Sequence, residues 1–289
     1  MHAARRHALS LIHLEQSLHI FHEPAIQQFF LGYPALLHWI NRLYSFIHIP
    51  GTILFLVWLY NYTILSNRNF ASSSSNKASG SPAGPALFQS RRRTMAVCNL
   101  LAFAVFTAWP CMPPRLLSDP AYNGPDAAEA KSYKFVDTVH GASGESSVWT
   151  QNKFCNQYAA MPSLHFGYSL LVGVTIMTIP LAPAATRARV PWRRILALVL
   201  GFAYPAVILV AIVATANHFI LDAVAGAVVC AIAWNANGVL LNLVPVEDWF
   251  LWGLRLHIPE ITVRGAEREA LPGSAEEGLG RGVVVGIGK

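Results

Sequence analysis

Residues 195–234 read ILALVLGFAYPAVILVAIVATANHFILDAVAGAVVCAIAW, and from Ile195 to Val246 the only carboxylate is Asp222. Two apolar stretches, 195–216 and 218–244, are divided by a short polar break, and each has the roughly 20 residues that a helix needs to cross a bilayer. A backbone in lipid must pair its own N–H and C=O groups, so such stretches are helices. Working outward, runs at about 43–65, 94–112 and 160–182 have the same character. The whole chain agrees with them. Of 289 residues, 54% are hydrophobic and 12% charged, about half the charged share of a soluble domain, and the mean hydropathy is +0.40. A soluble enzyme, a disordered chain and a disulfide-stapled secreted module are excluded. The expected fold is all-α, a polytopic transmembrane helical bundle of about 5–6 spans.

Four cysteines make no framework, and no CxxC or Cys/His spacing suggests a zinc or redox site. The net charge is +6, but the bases fall in loops beside apolar runs, which is membrane orientation and not nucleic-acid binding. Ahead of the first run, residues 8–22 place Leu9, Ile12, Leu18 and Phe21 on one side and Glu15, Gln16, His19 and His22 on another, as an interfacial N-terminal helix does. The segment 24–40 is apolar but broken by Pro24 and Pro34, and is either re-entrant or a sixth span. The basic start lacks a clean apolar core and a small-residue cleavage site, so no cleavable signal peptide is expected. The layout is therefore 1–40, interfacial or re-entrant helices; 41–250, a transmembrane domain; and 251–289, a cytoplasmic tail expected to be disordered. Ser72–Ser75 belong to a flexible linker, and no internal repeat is present.

Loop charges orient the bundle, because Lys and Arg collect on the cytoplasmic side. The 66–93 loop carries Arg68, Lys77, Arg91, Arg92 and Arg93 without an acid, and 183–194 carries Arg187, Arg189, Arg193 and Arg194 without one. Both are expected in the cytoplasm. Between them, 113–159 sets four bases (Arg115, Lys131, Lys134, Lys153) against five acids (Asp119, Asp126, Glu129, Asp137, Glu145), a net of −1. That loop is expected outside the cytosol, and the turn at Ala216–Asn217 shares its face.

A charged group at mid-span costs about 2.5–3.5 kcal/mol, so the few present are candidates for function. Asp222 follows His218 by four residues, and on one helix face its carboxylate accepts from one ring nitrogen and leaves the other free. The same pair also serves simply to satisfy two polar groups. "AAMPSLHFGYSL" opens the 160–182 helix on the same membrane face, with Pro162 in the first turn and Ser163 and His165 after it. A helix N-terminus offers unpaired N–H groups to a phosphate. "WPCMPPRLL" places Arg115 at the end of the 94–112 span, again on the extracytosolic side, and Arg suits bidentate phosphate contact. Asn41, Tyr44 and His48, spaced i, i+3, i+7, face either a lipid head-group or a neighbouring helix. Lys153, Asn156, Gln157 and Tyr158 either select an acceptor alcohol or form a wet loop. Cys111 and Cys155 share the oxidising face, which allows a disulfide.

"AMPSLH" followed by "NHFILDAVAG", with "NRLYSFIHIP", "WPCMPPRLL" and "FVDTVH", resembles the type 2 phosphatidic acid phosphatase superfamily, in particular its inositolphosphotransferase and inositol phosphorylceramide synthase branch, over roughly 10–245. The resemblance implies a helical bundle, no metal, no cofactor and a phosphohistidine intermediate. It implies His218 as nucleophile, Asp222 as its orienting partner and His165 as the acid on the leaving group; the placements above add Arg115 and Ser163 as candidates for phosphate and Asn41, Tyr44, His48 and Lys153 as candidates for substrate. The broad phosphatase motif has Gly where this chain has Leu164, and Ser-Arg where it has Ala211 and Ile212. The Lys and Arg-Pro of its first motif are absent. These departures point to the transferase branch. The expected activity moves a phosphoinositol-type head-group from a phosphatidylinositol-like lipid to a ceramide-like one, in sphingolipid metabolism. The competing readings are a lipid phosphate phosphatase acting on phosphatidic acid, isoprenoid or sphingoid phosphates, and a non-catalytic membrane relative. The expected partners are bilayer lipids and not nucleic acid. The expected place is a multi-pass position with the site extracytosolic, in the ER, Golgi or another endomembrane if the source is eukaryotic.

Overall fold

The computed structural model describes residues 2–44, 48–65, 83–138, 156–181 and 191–255. It is all-α, about 76% helical, with no strand among the described residues. The chain divides into two compact units, Met1–Leu243 and Val244–Lys289. In order, the helices are α1 His2–Ser17, α2 Glu23–Leu31, α3 Pro34–Arg42, α4 His48–Tyr60 with a π-helical turn Asn61–Leu65, α5 Pro85–Ala108, α6 Ala127–Ser132, α7 Leu164–Thr178, α8 Trp192–Ala214, α9 Ile220–Ala236 with a 3-10 stretch Asn237–Leu243, and α10 Val244–Gly253.

The five apolar runs become α4, α5, α7, α8 and α9. Three helical runs, His48–Leu65, Trp192–Ala214 and Ile220–Gly253, are long and apolar enough to cross a membrane. The bundle is built inside out relative to a soluble protein. Phe202, Val199 and Leu200 of α8 stand exposed while Ala211 and Ile212 are fully buried, as lipid-facing and protein-facing sides require. Small residues let the helix backbones approach. A Cβ on Gly226 of α9 would meet the Ser163 carbonyl oxygen at 2.3 Å, and one on Gly173 of α7 would meet the Gly201 carbonyl oxygen of α8 at 2.2 Å. Helix α7 is thereby held between α8 and α9 by direct backbone contact.

Several boundaries differ from the sequence expectation. Pro24 and Pro34 each stand in the first turn of a helix, where a missing N–H costs nothing, so they open α2 and α3 instead of breaking one helix. Each has 9 residues, about 14 Å at the helical rise against a core of about 30 Å; 24–40 is not a sixth single-helix span. Helix α5 starts at Pro85, so Arg91, Arg92 and Arg93 lie on a helix and not in a loop. Arg91 is buried, its guanidinium carbon 3.3 Å from the Trp234 ring centre, a cation–π contact. In α1, Glu15 belongs to the packed face with Leu11 and Ile12 and not to a polar side, because its carboxylate bonds the Leu221 amide. The N-terminal helix packs with Cys111, Met112, Leu117 and Phe219 in one cluster, and Arg5 donates to the Leu117 carbonyl at 2.8 Å.

Candidate active site

The turn between α8 and α9 bears His218. Ala216 takes a positive φ of 51° there, and its carbonyl accepts the Arg115 amide at 2.9 Å. His218 precedes the helix cap, Phe219, so it does not share a helix face with Asp222 as the four-residue spacing suggests. Its Nδ1 lies 2.8 Å from the Ala160 carbonyl oxygen and 3.5 Å from Asp222 Oδ2. A carbonyl only accepts, so Nδ1 carries the hydrogen and Nε2 keeps its lone pair. Asp222, fully buried, instead accepts the Phe219 amide at 2.8 Å, which caps α9. Ala160 is held in turn by a short bridge in which its amide donates to the Cys111 carbonyl at 3.1 Å and the Cys111 amide to the Tyr158 carbonyl at 2.8 Å.

The second motif meets the first at the backbone. The Ser163 amide donates to the Asp222 carbonyl at 2.9 Å, and the Ser163 hydroxyl accepts from Phe166 at 3.4 Å, so Ser163 is the cap of α7 and Pro162 lies ahead of that cap, not in the first turn. The next residue but one, His165, has its ring 5.6 Å from that of His218, 4.6 Å from Tyr44 and 5.2 Å from His48. His48 is buried and bonds the Tyr204 hydroxyl of α8 at 2.9 Å.

Arg115 sits in the 3-10 turn Pro114–Leu116 that follows α5. Its Nε donates to Asn217 Oδ1 at 2.8 Å and its Nη1 to Asp137 Oδ2 at 3.3 Å, which fixes the guanidinium beside the residue next to His218. Asn41 is on α3 and not at the end of the first span; its side-chain oxygen is buried with no hydrogen-bond partner among the described residues. Lys153 and Cys155, and with them the Cys111–Cys155 pairing, lie outside the described residues; Cys111 is buried. Among the described residues no group of three or more His, Cys, Asp or Glu side chains is arranged to hold a metal ion.

The structure thus brings His165, His218, Asp222, Tyr44, His48 and Arg115 to one end of the bundle. A family model described as the PAP2 superfamily matches residues 9–74 and 83–236. The chain belongs to the PAP2 superfamily. Both motif segments of this PAP2 member fall inside the match, as do its N-terminal helices from residue 9 onward. Membership makes it a phosphatase- or phosphotransferase-type lipid enzyme. No curated protein and no solved structure matches the chain.

Sequence reasoning did not single out Tyr204, Asn217 or the Ala160 carbonyl. A tyrosine hydroxyl within an apolar span was a usable signal for the first, and adjacency to His218 for the second. A backbone acceptor 58 residues away left none.

Proposed function

We propose that this PAP2 enzyme is a head-group transferase that carries a phosphoinositol-type group from one bilayer lipid to a ceramide-like lipid through phosphohistidine at His218. The observation that carries the proposal is the Nδ1 bond from His218 to the Ala160 carbonyl, which leaves Nε2 as the attacking atom. In the first step the Nε2 lone pair attacks phosphorus and the bond from phosphorus to the donor lipid's oxygen breaks. His165 passes a proton to that oxygen, and diacylglycerol leaves. In the second step the acceptor hydroxyl attacks phosphorus, His165 takes its proton, and the phosphorus–nitrogen bond breaks. Arg115 balances charge on the phosphoryl oxygens.

One observation favours transfer over hydrolysis: Ala211 and Ile212, where the phosphatase motif carries Ser-Arg, are fully buried in the packing of α8, so Arg115 is the arginine left for the phosphate. Loop charges support an extracytosolic site.

The purified chain is to be assayed with labelled phosphatidylinositol plus ceramide, beside phosphatidic acid, with and without EDTA. Labelled inositol phosphorylceramide formed equally in EDTA is the expected product. Phosphate release from phosphatidic acid alone would make the enzyme a phosphatase, and turnover abolished by chelation and restored by zinc or magnesium would rule out the metal-free route.

A further inference from the structure

The three amides that follow His218 each meet a carboxylate. Phe219 donates to Asp222 Oδ2, Ile220 to Glu23 Oε1 and Leu221 to Glu15 Oε1, all at 2.8 Å. The first amides of a helix have no intrahelical acceptor and sit at its positive end, so carboxylates suit them. Local sequence supplies only Asp222. Glu23 and Glu15 reach in from α2 and α1, 197 and 206 residues away, and all three are fully buried. The second oxygen of each glutamate is buried with no hydrogen-bond partner among the described residues, and the two carboxyl groups are neighbours.

We propose that Glu15 and Glu23 are positioning residues for His218: a buried carboxyl pair that clamps the 219–221 turn and so aims the imidazole. The proposal rests on His218 as the reacting residue. Burial, reinforced by Glu23 and Asp222, raises Glu15 from the usual carboxylate range to about 9. The groups that face it are Glu23 of α2, Asp222 of α9 and Cys111 after α5, whose thiol burial and the Asp222 and Glu15 carboxylates push up so that it stays neutral. Arg5, on the same helix, is committed to the Leu117 carbonyl. Between about 4.5 and about 9 the folded chain holds a proton that the unfolded chain has lost. The stability from that proton is complete at low pH and is lost as pH rises through the folded value.

The test uses the full chain in lipid nanodiscs, with Glu15→Gln, Glu15→Ala and Glu23→Ala, read by hydrogen exchange of the 219–221 amides, by thermal melting against pH, and by turnover. Either alanine variant should release the 219–221 amides to exchange and lower kcat roughly tenfold to 100-fold with KM unchanged. Glu15→Gln keeps an acceptor and cannot ionise. It should keep the amide protection, flatten the fall of melting temperature between neutral pH and about 9, and remove the alkaline fall of kcat expected of the wild type there. If an alanine variant does not fold, Glu15→Gln decides alone. Wild-type pH slopes in Glu15→Gln, or protected amides in a folded alanine variant, would overturn the clamp. A wild type that turns over no lipid defeats the proposed chemistry, while exchange and melting still judge the clamp.

Discussion

At the scale of single residues, the proposed chemistry gives the two histidines different tasks, so their variants should fail differently. His218→Ala should abolish turnover and any trapped phosphoenzyme, because in the proposed route Nε2 makes the bond to phosphorus. His165→Ala should slow departure of an alkoxide but recover part of the rate on a substrate with an activated leaving group such as p-nitrophenol. Acid-labile, alkali-stable label on wild type and His165→Ala, absent from His218→Ala, is the expected pattern; label surviving in His218→Ala would make His165 the attacking residue. Asp222→Asn belongs to the same experiment. Where an aspartate alone fixes a histidine's tautomer, that change costs about 10⁴ in rate. Here the Ala160 carbonyl holds Nδ1–H at 2.8 Å and Asp222 stands at 3.5 Å, so the loss should fall well short of that, and a full 10⁴-fold drop would make Asp222 the principal partner.

At the scale of helices, the site depends on how closely α7 approaches α9. Ser163 caps α7 and His165 lies in its first turn, while His218 stands just ahead of α9 and Asp222 in its first turn, and the two helices are joined where Gly226 faces the Ser163 carbonyl. Gly226→Ala puts a methyl into space already held by backbone. It should cost about 1–3 kcal/mol in thermal or denaturant unfolding and depress turnover, since the helices must separate and carry the two imidazoles apart. Gly51→Ala in α4, where a Cβ meets nothing within 4 Å, is the control and should be near neutral. Equal effects from the two changes would show that the α7–α9 contact is not what sets the site. The arginines of α5 were not legible as helix, because a run of charge bears on membrane side and says nothing about where a helix begins.

At the scale of the whole molecule, an outward apolar surface and an inward set of small and polar residues describe a body solvated by lipid. The side on which the site is proposed to open rests on loop charge. Asn123 is exposed in the segment between α5 and α6, and a glycosylation site placed there should be modified in the lumen of microsomes and resist protease added from the cytosol. Cytosolic cleavage at Asn123 would move the site to the other leaflet.

The sequence by itself determined the membrane class, the apolar helices and the two motif segments, because hydrophobic length and short motifs are local properties that each segment carries alone. It also named most of the residues that meet at the site, since His165, His218, Asp222 and Arg115 are costly in an apolar setting wherever the chain folds. Only the tertiary structure decided which atoms they use. The partner of His218 is a carbonyl on a distant loop, Asp222 caps a helix, and Glu15, assigned by periodicity to a polar face, is buried against α9. Backbone acceptors have no signature in sequence, and a carboxylate reads as solvent-facing until the unpaired amides it satisfies, some 200 residues on, are brought beside it.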